Sequence, residues 1–171
     1  MLDYVVSADV FPEMNKIIIS TFLFFPISIL AEESSKIVNQ VWRVTEESSS
    51  SSMLDDERFY GVADEVEELT TLSIGIKSGE ARAQRLRAYL VAPTTGKYQF
   101  SLSANDSAQF SLSPTSSKWE KQVLIDIPRT TPRDIQDSGV SSKLVDLVAG
   151  QEYFVELIQQ NASGGKQDPK N

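Results

Sequence analysis

Cysteine and histidine are both absent from the 171 residues. Their absence removes Cys-His and Ser-His-Asp nucleophilic sites and any zinc site built on thiolate or imidazole. No disulfide framework can brace the fold, so ordinary packing must stabilise it. Lipoprotein processing, which needs a cysteine, is excluded as well. Basic side chains are the minority charge, with 16 Lys and Arg against 24 Asp and Glu and a formal charge of −8. With no local Lys/Arg cluster to offset that deficit, the chain offers no footprint for nucleic-acid phosphates. Most of the carboxylates read as solubility features.

The apolar content is ample: 40% of the residues are hydrophobic and eight are Phe, enough for the core of a single domain. In residues 97–103, Tyr98, Phe100 and Leu102 alternate with Gln99, Ser101 and Ser103, the period-two pattern of a strand with one buried face. Ala108, Phe110 and Leu112 repeat it, and residues 86–92 read as a third strand. Pro93-Thr94-Thr95-Gly96 between them supplies a tight reversal. The expected product is an antiparallel meander within an all-β fold, an antiparallel β-sandwich or β-barrel. Further strands are expected at 41–44, 73–76, 123–127, 143–148 and 152–159. In the last of these, Tyr153, Val155 and Leu157 alternate with Phe154, Glu156 and Ile158, so both faces are partly apolar and the strand should be central.

These motifs resemble the PA-fourteen (protective antigen type) domain family, a carbohydrate-binding module of adhesins, glycosidases and bacterial surface proteins. The likeness rests on Arg85, Arg87, Tyr89 and Leu90, the Pro93/Gly96 turn, Tyr98 and Phe100, Asn105-Asp106, and Leu112-Ser113. A second match, in order and at a fitting distance, runs from Leu147 through Ala149-Gly150 to Tyr153, Phe154, Val155 and Glu156. Together they cover roughly residue 41 to the end.

The resemblance also points to a site. Calcium-dependent members hold the ion on two adjacent Asp residues, and the ion coordinates sugar hydroxyls. Calcium suits that task because it wants many oxygen ligands and exchanges waters for vicinal hydroxyls. Here Asn105 stands in the first place and Asp106 in the second. The Asn carbonyl can ligate but brings no charge, so calcium affinity should be weak or lost. The other reading of residues 104–107 is a plain hairpin loop. Trp119, in the loop 114–120, either stacks on the apolar face of a pyranose or plugs the loop or core. The acidic stretch 55–72 is either a solvated loop or short helix or a cluster of metal-binding oxygens, and its spacing matches no EF-hand.

Residues 17–30 (IIISTFLFFPISIL) form an apolar run after Lys16 and before Ala31. Positive flank, short apolar region and small residue are the parts of a signal peptide, here 1–31, with Met14 the expected true start. An uncleaved membrane anchor is the alternative, weakened by Pro26 and the short run. Residues 32–40 read as a tether, and the pentaserine run 48–52 as a flexible loop. After Gly164-Gly165 the resemblance calls for one more strand, which the chain does not supply. That leaves an uncovered sheet edge open to self-association, or marks a piece of a larger polypeptide. The expected function is an exported, noncatalytic module that docks to glycan or polysaccharide, free of the membrane after leader cleavage. A structural or protein-interaction module is the alternative. An enzyme is the weakest, since no acid/base carboxylate pairing is recognisable.

Overall fold

A computed structural model of the protein describes residues 4–9, 36–43, 57–74, 82–104, 107–128 and 139–161. The apolar run 17–30, the pentaserine segment, Asn105-Asp106 and the polar tail from 162 lie outside the described residues. The described elements are strands and one 3-10 turn, Glu57–Tyr60. The strands are β1 (Tyr4–Asp9), β2 (Ile37–Arg43), β3 (Glu65–Leu69), β4 (Ser73–Ile74), β5 (Arg82–Val91) and β6 (Gly96–Leu102). They continue with β7 (Ser107–Leu112), β8 (Gln122–Ile127), β9 (Val140–Ser141), β10 (Val145–Leu147) and β11 (Glu152–Asn161).

Two antiparallel sheets form a β-sandwich. One has six strands in the order β3-β2-β5-β11-β7-β8; the other has five, in the order β10-β6-β1-β4 with β9 also on β6. The central placement expected of β11 is met: it pairs with β5 from Glu152↔Val91 to Asn161↔Arg82 and with β7 on its other side.

The meander does not form. β5 and β7 both flank β11, whereas β6 crosses to the opposite sheet. The cause lies in the pattern itself: three strands with one apolar face each bury those faces equally well in two facing layers. Leu86 and Ala88 of β5, Val155 and Leu157 of β11 and Phe110 of β7 thus meet Tyr98, Phe100 and Leu102 of β6 in one buried cluster. The rings of Phe100 and Phe110 join the layers at 5.1 Å.

Several boundaries also move. β2 begins at Ile37, so residues 37–40, expected in the tether, are strand; Ile37, Asn39 and Val41 are buried and Trp42 packs on the reverse face. The acidic stretch supplies the short 3-10 helix Glu57–Tyr60 and, in place of the expected loop, the edge strand β3. Alternation explains β3: Val66 and Glu68 point one way from the sheet, Glu65, Glu67 and Leu69 the other. Its acidic, short edge discourages pairing with another chain. Tyr4–Asp9, which a start at Met14 would omit, occupies the place between β6 and β4.

One end of the sandwich is stitched shut. The buried Tyr98 hydroxyl donates to the Thr94 carbonyl at 2.5 Å, and the Tyr153 hydroxyl accepts from the Val148 amide at 2.7 Å. The turns they hold also bond each other, Gly150 N–H to Ala92 O at 2.9 Å and Ala149 N–H to Thr95 Oγ1 at 3.0 Å. Gly150 adopts φ 74°, a left-handed conformation that favours glycine. At the opposite end Gly139 has φ 70°, and a Cβ there would meet Leu102 O at 2.9 Å.

Candidate functional site

The strand directions separate the residues expected to form one site. β6 ends and β7 begins at the unstitched end, where Asn105 and Asp106 join them. Trp119 follows the other end of β7. Six residues of strand, about 20 Å, separate Ser107, where β7 begins, from Leu112, beyond which Trp119 follows. Trp119 is 84% exposed, with the Lys118 ammonium 4.7 Å from its ring centroid. It is not a core plug.

Beneath the unstitched end the inner face of the six-stranded sheet turns polar. Asn39, Gln84 and Gln159 are buried there, with Asn39 Nδ2 donating to Glu67 at 2.7 Å and to Gln84 at 3.3 Å. The Asn39 Oδ1 and Gln159 Oε1 atoms have no hydrogen-bond partner. A buried polar row is costly unless satisfied. The run Asn39/Gln84/Gln159 was visible in the sequence but carried no motif.

The outer face of the same sheet holds the main electrostatic cluster. Strand alternation places Arg85, Arg87 and Tyr89 of β5 beside Phe154, Glu156 and Ile158 of β11. Glu156 is only 1% exposed, yet its carboxylate accepts from Arg87 Nε at 2.8 Å and from the Lys121 ammonium. Burial pushes its pKa up, but the hydrogen bonds from Lys121 and Arg87, with their charges, outweigh it and hold the carboxyl below its ordinary value. The Arg-x-Arg and Tyr-Phe-Val-Glu motifs, 69 positions apart, thus meet as a salt bridge. Arg85 donates to Gln40 and to the Phe59 carbonyl, with its guanidinium 5.0 Å from the Trp42 ring centroid. Burial, then the charge of Arg87, lowers its pKa, while Glu156 opposes the shift. Tyr89 meets Phe154 edge-on at 5.8 Å.

A hollow of about 320 Å³ opens between β8 and β10, lined chiefly by Leu112, Leu124, Val145, Leu147 and Tyr153. Its walls are mainly aliphatic and offer no acid/base pair. No cluster of three or more metal-ligating side chains occurs among the described residues.

The described strands form an antiparallel β-sandwich with one end stitched shut. A family model, the GLEYA domain, matches residues 83–168. The chain belongs to the GLEYA domain family, a family of lectin-like adhesin domains. The expected kinship with carbohydrate-binding adhesin modules holds at this level; the family that matches is GLEYA and not PA-fourteen by name.

Among solved structures, the A domain of epithelial adhesin 9 from Candida glabrata, determined in complex with Galb1-4GlcNAc, shares the fold at TM-score 0.51 and 12% identity. That likeness covers 75% of this chain and 76% of the adhesin domain. A beta-glucosidase from Kluyveromyces marxianus in complex with glucose is similar at TM-score 0.49 and 18% identity, over 81% of this chain but 16% of the enzyme. No curated protein matches the sequence.

Proposed function

We propose that the protein is a noncatalytic carbohydrate-binding module of a secreted or cell-surface adhesin, which docks to glycan through the loops at its unstitched end. The observation that carries this reading is the GLEYA match across β5 to β11, the segment that supplies most of the six-stranded sheet and β6, β9 and β10 of its partner. Asn105 and Asp106 stand in the loop between β6 and β7, at that end. There Asp106 is the charged ligand for calcium and Asn105 the neutral one, a set that binds the ion weakly. Trp119, exposed at the far end, serves as a separate stacking surface and not as part of the same pocket.

Glycan-array binding with and without a chelator tests the proposal, with Galb1-4GlcNAc, the ligand of the adhesin relative, among the probes. Binding that falls on chelation and in Asp106→Ala supports loop and metal together. Binding that survives both keeps the sugar and removes the ion. No binding to any glycan favours a structural or protein-interaction module instead.

A further inference from the structure

The outer face of the six-stranded sheet carries features that docking at the loop end does not use. Arg87 spends only its Nε on Glu156, its side chain is 36% exposed, and its two terminal guanidinium nitrogens have no partner among the described residues. The buried carboxylate fixes the guanidinium in place, so the free fork is pre-organised and little entropy is lost when it binds. Tyr89 follows two positions along β5 on the same face, about 7 Å away. The residue is 39% exposed.

The charge around the fork has one sign in excess. Arg85, Arg87 and Lys121 lie around the carboxylate of Glu156, and the other carboxylates of the Arg85 and Arg87 rows, Glu68 on β3 and Asp126 on β8, stand on the edge strands of the sheet. The next carboxylate on that face of β11 is Glu152, beyond the Phe154 row. In the Arg87 row, Glu68 on β3 is matched by Lys36 at 3.1 Å. A local cationic surplus on a chain of net charge −8 is a specific feature and not a compositional accident.

We infer that this face is a second saccharide site, selective for a carboxylate-bearing (uronate-type) sugar, with the Arg87 fork on the carboxylate and the Tyr89 ring against the pyranose. A planar fork matches a carboxylate in bidentate fashion, and an aromatic ring beside it receives the CH face of the sugar. The inference rests on the glycan-binding reading for its choice of a sugar as occupant. It places that sugar away from the Asn105-Asp106 loop, on a different surface.

The test uses the full chain and two probes, trigalacturonic acid and its methyl ester, by isothermal titration. The acid should bind at least about tenfold tighter than the ester, which keeps the rings but lacks the charge. The preference should shrink as ionic strength rises. Arg87→Lys, which keeps the charge and its reach toward Glu156 but loses the fork, should reduce acid binding about tenfold. Tyr89→Leu should weaken acid and ester alike. Equal affinity for acid and ester, or unaltered acid binding in Arg87→Lys, overturns the inference. If array glycans bind and trigalacturonic acid does not, the second site falls and the proposed function stands. If nothing binds, both fall.

Discussion

The two sheets share one core but are assembled differently. In the six-stranded sheet, β5 and β11 are each ten residues long and pair along their whole length. The five-stranded sheet is arranged around the seven-residue β6, whose three neighbours come from two distant places, β1 and the β9–β10 segment. β1 gives it four register pairs, β10 three and β9 two. The first sheet holds itself together through two adjacent strands; the second depends on a single strand collecting short partners. Loss of one partner should therefore be felt locally in the second sheet, and loss of a core residue in both.

Phe110→Ala should have the largest effect. The ring is 1% exposed and lies against Phe100 of the other layer, so its removal should cost about 3–5 kcal/mol in urea unfolding. One transition, seen by every probe, is expected; two separated transitions would mean that the sheets unfold independently.

Next comes Glu156→Gln, which keeps the shape and removes the charge that Arg87 and Lys121 hold. At neutral pH the loss should be about 1.5–3 kcal/mol. The folded pKa of Glu156 is depressed, so its stabilisation is fully present above the ordinary value of 4.5 and fades as pH falls through the lower folded value. Wild type and variant should therefore converge in acid. A gap that stays constant down to strongly acidic pH would show that the carboxylate charge contributes nothing.

Omission of residues 1–13 sharpens the contrast between the sheets most directly. Amide exchange along β6 should speed up by about tenfold or more, while β11 keeps its protection. Equal acceleration in both would remove the distinction. Smaller still, Tyr98→Phe gives up the bond to the Thr94 carbonyl and should cost about 0.5–1.5 kcal/mol. Trp119→Ala should change stability by less than about 0.5 kcal/mol, since the side chain is exposed. A larger change would assign Trp119 a packing role.

Strand existence was legible wherever alternation was clean, as in Tyr98/Phe100/Leu102 and Ala108/Phe110/Leu112. The central position of β11 was legible too, from its two apolar faces. Which layer each strand joins was not, because alternation states that a face is buried and not what buries it. β3 was hidden because edge strands need only one covered side, and its Glu residues read as a solvated run. The Arg87–Glu156 pair joins residues far apart in sequence, so only the register of β5 against β11 reveals it. Asn105, Asp106 and Trp119 were each picked out by chemical type, and type carries no information about which end of a strand a loop occupies.

The tyrosine hydroxyls that seal one end of the sandwich have a consequence for how such a protein diversifies. With the turns at 92–96 and 148–151 bound to each other and to Tyr98 and Tyr153, this rim is braced by bonds that use no side chain from the opposite one. Side-chain changes at the opposite rim therefore leave this anchorage intact.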